Sequence, residues 1–149
     1  METNSSAPET KITPLHQNDV QTKDDLGYRA PPLNYDAERA LLGAILVNNP
    51  AYEKVSDFLK PEHFADSIHG HIFAAAGTLI LRGQIADPRT LKNFFEQDGA
   101  LADVGGSSYL ARLAVESVTV LNAAEYGRII HDLALRRELI ALGNDVVND

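Results

Sequence analysis

The chain has 149 residues, an apolar fraction of 44% and a formal charge of −8, from 21 acidic against 13 basic residues. That length suits one folded domain with a real core and a tail. The absence of cysteine excludes a disulfide framework, a thiolate zinc site and a thiol nucleophile.

Counterion-release binding to nucleic acid needs clustered Lys and Arg, and here only Arg136-Arg137 stand side by side. Protein partners are therefore expected before DNA. The first residues carry no apolar stretch after a basic start, so secretion is not expected and the cytoplasm is the default location.

Residues 1–30 are rich in Ser, Thr, Asn, Gln and Asp and show no sustained hydrophobic period. Such a segment buries too little surface to offset its ordering entropy, and it reads as a disordered tail rather than a partner-binding motif. Pro31-Pro32 ends it. Asn34 or Asp36 then caps a helix through Ala37–Val47, with Ala37, Leu41, Ala44 and Ile45 on one face. Asn48-Asn49-Pro50 is a turn, and Ala51–Leu59 forms a second helix showing Val55, Phe58 and Leu59. Pro61–Phe64 is a tight turn or short helix that delivers Phe64 to the core.

Ser67–Arg82 is apolar around most of its circumference and is expected to be the central helix of the bundle. Gly83 closes it, being free to take positive φ, with Arg82 as a cation in the last turn. Its apolar run is about half the roughly 20 residues of a membrane span.

Asp87-Pro88-Arg89-Thr90 starts the next helix, with Asp87 as N-cap and Pro88 at the first position. Leu91, Phe94 and Phe95 follow on one face, and Gly99 is the stop. A loop through Ala100–Gly106 leads to Ser107, read as the cap of a helix carrying Tyr109, Leu110, Leu113 and Ala114. Ser117–Leu121 is β-branched, but no second strand is in sight, so an extended connector is expected.

From Asn122 onward runs the longest helical pattern. Tyr126, Ile129, Ile130 and Leu133 define one face, which Ile140 and Val147 are expected to continue. Leu135, Leu139, Leu142 and Val146 form a second stripe. Leu135 lies about 200° beyond Leu133, so the stripe should face nearly the opposite way and serve self-association rather than the domain's own core.

Chemistry is hard to find. No GxxxxGK[ST] phosphate loop exists, and Gly105-Gly106-Ser107-Ser108 lacks the lysine. Ser107 reads as a helix cap rather than a nucleophile. His69 and His71 point about 200° apart on a helix, so a packed or surface histidine is the reading, not a metal pair. No carboxylate pair is placed for acid–base work. No catalytic, cofactor-binding or metal-binding residue is assigned.

Taken in order, Pro31-Pro32, Ala37-Glu38, Leu42-Gly43, Phe64, His69 with Ile72-Phe73, Asp87 with Thr90-Leu91, Gly105-Gly106, Tyr109-Leu110, Asn122-Ala123, Tyr126 and Arg137-Glu138-Leu139-Ile140 form a pattern. It resembles the N-terminal domain of the bacterial replicative DNA helicase of the DnaB type. The resemblance spans about Pro31–Asp149. It implies an all-α fold: a bundle of about six helices over residues 31–121, then a long helix over 122–149 that is the first arm of a helical hairpin.

It further implies that the hairpin dimerises and that dimers build a trimeric collar on a hexameric ring. The collar docks primase within the primosome and, in some bacteria, a helicase loader. ATP and Mg binding, hydrolysis and DNA unwinding belong in that family to a RecA-like C-terminal domain, which these 149 residues lack. The chain thus reads as a non-catalytic fragment of an ATP-dependent helicase. Two departures stand out: the tail before Pro31 is longer than the fold needs, and Ala65 stands where the family often has an aromatic. The competing reading is a free-standing all-helical adaptor that uses the second stripe as a binding surface. A phosphate-loop ATPase encoded after Asp149 would discriminate between them. A third reading, a small hydrolase, has no site to support it.

Overall fold

Asn34 accepts the Ala37 N–H at 2.9 Å, and from that cap runs α1, Tyr35–Val47, with Asp36 and Glu38 in its first turn. Of the two caps the sequence allows, Asn34 is the one used. Beyond α1 come a 3₁₀ helix at Asn49–Lys54, a second at Pro61–His63, and α2 at Ser67–Leu81. Then follow α3 at Pro88–Asp98, α4 at Ser107–Val115 and α5 at Ala123–Asn148. These come from a computed structural model that describes residues 31–98, 106–117 and 122–148. Expectations for the 1–30 tail, the stop at Gly99, the loop through 100–105 and the connector at 118–121 fall outside the described residues. The fold is all-helical, and no strand occurs among those residues.

The bundle is organised around α1, not α2. Leu41 through Leu46 are buried without interruption, and α1 packs against α2, α4, α5 and the first 3₁₀ helix. On α2 the buried set is His69, Gly70, Ile72, Phe73, Ala75, Ala76, Gly77 and Leu79, while His71, Ala74 and Leu81 face solvent. An apolar composition does not require enclosure, because single exposed apolar side chains are ordinary.

The helix expected over Ala51–Leu59 is a 3₁₀ helix over Asn49–Lys54, after which the chain passes into turns. Asn49, the first residue of that 3₁₀ helix, ties it to α1 and to the chain before α3. Its amide donates to Ile45 O at 2.8 Å and Ala86 O at 2.7 Å, and its oxygen accepts Ala86 N–H at 3.0 Å. Val55 and Leu59 still reach the core, and Phe64 follows from the Pro61–His63 turn.

Local signals decide the helix ends. The α2 terminus is a Schellman motif: Gln84 N–H donates to Leu79 O, Gly83 N–H donates to Ile80 O, and Gly83 has φ +77°. Arg82 is the cap residue there rather than part of the last turn. Asp87 and Thr90 exchange side-chain-to-backbone bonds, each 2.9 Å, which fixes the start of α3. Ser107 is no cap; Gly106, with φ +78°, holds that position and Ser107 is already helical.

The buried line of α5 is Ala123, Gly127, Ile130 and Ala134. A Cβ on Gly127 would overlap the Val55 side chain. Small residues thus let the helix approach closely, and Tyr126, Ile129 and Leu133 flank the contact half-buried. The expected continuation through Ile140 and Val147 does not pack, as both are exposed. Past Arg137 the helix runs free of the body as an arm.

Candidate functional site

Two arrangements stand out, one on the arm and one inside the bundle. Leu135, Leu139, Leu142 and Val146 lie within about 60° of one another on α5, and their exposures are 43%, 67%, 61% and 71%. The structure therefore brings all four together in one solvent-facing stripe. Glu138, Ala141 and Asp145 border the apolar groove along it. Relative to the buried line the stripe sits roughly 120° around the helix rather than opposite. The reason is that Ala123, Gly127 and Ala134 share the contact with Ile130, which moves its centre around the helix toward the stripe.

Inside the bundle, Glu38 of α1 and His69 of α2 are each 1% exposed. The Glu38 carboxyl accepts Ala65 N–H at 2.7 Å, Asp66 N–H at 3.3 Å and lies 2.8 Å from His69 Nδ1. With Nδ1–H donating to Glu38, His69 Nε2 is an acceptor, and the Tyr109 hydroxyl donates to it at 2.6 Å. Burial pushes the Tyr109 phenol above its ordinary range, while Arg39 and Arg112 oppose that and Asp66 reinforces it. A protonated phenol is what this donor role requires.

This network was not read from the sequence, although a signal existed. Glu38 occupies the Leu41–Leu42–Ile45 face and His69 the Ile72–Phe73–Ala76 face, so both are polar groups at core positions that need buried partners. His69 is committed to Glu38 and Tyr109, and His71 is on the surface. Among the described residues no cluster of three or more His, Asp or Glu is placed to hold a metal ion.

Tyr109 opens onto a groove between α1 and α4, lined by Asp36, Arg39, Arg112 and Glu116 over Ala40 and Leu113. Arg39 is paired with Asp36, and Arg112 lies over the Tyr109 ring at 5.5 Å. Two guanidiniums meet two carboxylates, so the groove has no net charge to select an ion. Its chemistry is structural: replacing Tyr109 with Phe orphans His69 Nε2 and should cost about 1–3 kcal/mol in urea unfolding. No change in stability would show that the His69–Tyr109 bond contributes nothing.

Comparison with known proteins agrees with this architecture. Residues 30–132 match the family model described as the DnaB-like helicase N terminal domain. The crystal structure of the N-terminal domain of DnaB helicase from Mycobacterium tuberculosis superposes with a TM-score of 0.77 at 33% identity, covering 80% of this chain and 86% of that one. A replicative DNA helicase DnaB from Rickettsia prowazekii is 42% identical over 134 residues, 89% of this chain and 28% of its own length. Its counterpart from Pasteurella multocida is 34% identical over 116 residues, 78% of this chain and 25% of its own length. The chain therefore spans about a quarter of the length of these curated relatives. Among the described residues no helix is long and apolar enough to cross a membrane. On its fold, its sequence and the extent of the match, the chain belongs to the DnaB-like helicase N-terminal domain family.

Proposed function

We propose that this chain is the oligomerisation and partner-docking domain of a hexameric replicative helicase acting in the cytoplasm. The domain itself is non-catalytic; ATP, Mg and DNA are handled by a RecA-like domain of the whole protein. Self-association comes first, and the assembled domains present the surface on which primase and, in some bacteria, a loader dock. The observation that carries this reading is the stripe of Leu135, Leu139, Leu142 and Val146, which is exposed on an arm that its own bundle does not cover.

Four such side chains supply on the order of 6–12 kcal/mol gross if wholly buried. Association costs roughly 4–15 kcal/mol in lost freedom. The terms nearly cancel, so the chain is expected to form a weak dimer that dissociates on dilution. Replacing Leu139 with Asp puts an unpaired charge in the middle of the stripe. Sedimentation over a concentration series should show the variant monomeric throughout, with its circular dichroism unchanged. A variant that dimerises like the wild type would remove the stripe from the interface.

A further inference from the structure

Where α5 leaves the body, three side chains meet that the dimer reading does not use. The Arg137 guanidinium donates to Pro32 O at 2.9 Å and to His63 O at 2.7 Å, tying the helix to the chain before α1 and to the second 3₁₀ turn. His63 Nδ1 accepts the Lys60 N–H at 2.9 Å, and Lys60 O accepts the His63 N–H at 3.0 Å, which closes that turn. The His63 ring stands edge-on to the His131 ring of α5, with centroids 4.9 Å apart, and Phe58 stands edge-on to His131 at 5.8 Å.

This packing holds only while the His63 Nδ1 is an acceptor. A proton added there becomes a donor aimed at the Lys60 N–H, so that bond is lost. It also places a cation beside the His131 ring and next to the carbonyl that Arg137 grips. Burial, then His131, keep His63 below the ordinary histidine range; Glu62 and Glu138 pull upward, and Lys60 adds a smaller downward push. His131 has Asp132 at 3.8 Å as its own acidic neighbour.

We propose that His63, His131 and Arg137 form a proton-operated latch at the root of the α5 arm. The neutral His63 imidazole holds the arm at one angle to the body, and its protonation releases it. The sign follows from linkage. A base held below its ordinary pKa in the folded state contributes stability that is present above that ordinary value and lost as pH falls through the folded one. The arm is therefore fixed in mildly alkaline solution and loosened in mildly acidic solution.

The chain has no cysteine, so two introduced ones can be spin-labelled without interference. Asn144→Cys on the arm and Lys92→Cys on α3 are both at exposed positions. Pulsed electron resonance at about pH 8 should give one narrow distance, and at about pH 5.8 that narrow distance should be lost. Far-ultraviolet circular dichroism should stay constant between the two. His63→Gln takes no proton in this window and should abolish the response. A distance that is the same at both pH values, or a response that survives in His63→Gln, overturns the latch. Loss of helix at the lower pH in the parent chain also overturns it, because the broadening would then report unfolding.

Discussion

Replacing Glu38 with Ala is expected to cost this fold about 3 kcal/mol or more, because each buried donor left without its acceptor costs about 1–3 kcal/mol. Three donors converge on that carboxyl: the Ala65 and Asp66 backbone N–H groups and the His69 imidazole. Alanine leaves all three unmet around a residue that is 1% exposed. Urea unfolding should show a lower midpoint with an unchanged slope, which marks a change in stability rather than in the unfolded state. Hydrogen exchange at Ala65 and Asp66 should accelerate more than at the α3 start, where the Asp87–Thr90 box is untouched. A double-mutant cycle with His69→Ala separates the pair's coupling from each single cost. A total loss under about 1 kcal/mol would mean that these bonds are not what holds α2 to α1.

The second large effect concerns Gly43. A Cβ built there overlaps the Leu113 carbonyl oxygen and comes within 3.0 Å of the Ser117 Cα. Both obstacles are backbone, so neither can swing aside, and Gly43→Ala must push α4 away from α1. Overpacking of this kind costs about 1–3 kcal/mol and sometimes more. That outweighs the helix-propensity gain of roughly 0.5–1 kcal/mol that alanine has over glycine. Gly143 is the internal control: it is helical, and nothing lies within 4 Å of its Cβ position. Gly143→Ala should therefore raise the melting temperature while Gly43→Ala lowers it. Two shifts of the same sign would show that propensity, not the α1–α4 approach, decides at Gly43.

The same distinction between local and distant partners explains what was legible beforehand. Gly83 and Asp87 mark helix ends through bonds to backbone only a few residues away, so the sequence is enough to find them, whereas at the start of α1 it allows both Asn34 and Asp36. Ser107 misled because Gly106, with its positive φ, does the capping geometry without a side chain. The Ala51–Leu59 segment misled because helical spacing over so few residues does not distinguish a continuous helix from a 3₁₀ helix followed by turns. On α5 Ile130 is buried as its spacing predicts and Tyr126 and Ile129 pack beside it, but the centre of the contact shifts toward Ala123, Gly127 and Ala134, because small residues permit close approach.

By itself the sequence determined the all-helical class, the close of α2 at Gly83, the start of α3 at Asp87 and the apolar stripe at Leu135, Leu139, Leu142 and Val146. Each depends on periodicity or on bonds within about one helical turn. Only the tertiary structure decided that α1 is the centre, that Asn49 mimics a backbone partner for Ala86, and that Glu38, His69 and Tyr109 form one network. Those partners are 37, 31 and 40 residues apart along the chain. A pattern of apolar positions shows which side of a helix is covered, but not which polar group on another helix will arrive to meet a buried one. That is settled by the angles at which the helices pack, and those angles are set by small residues such as Gly43 and Gly127 at the points of contact.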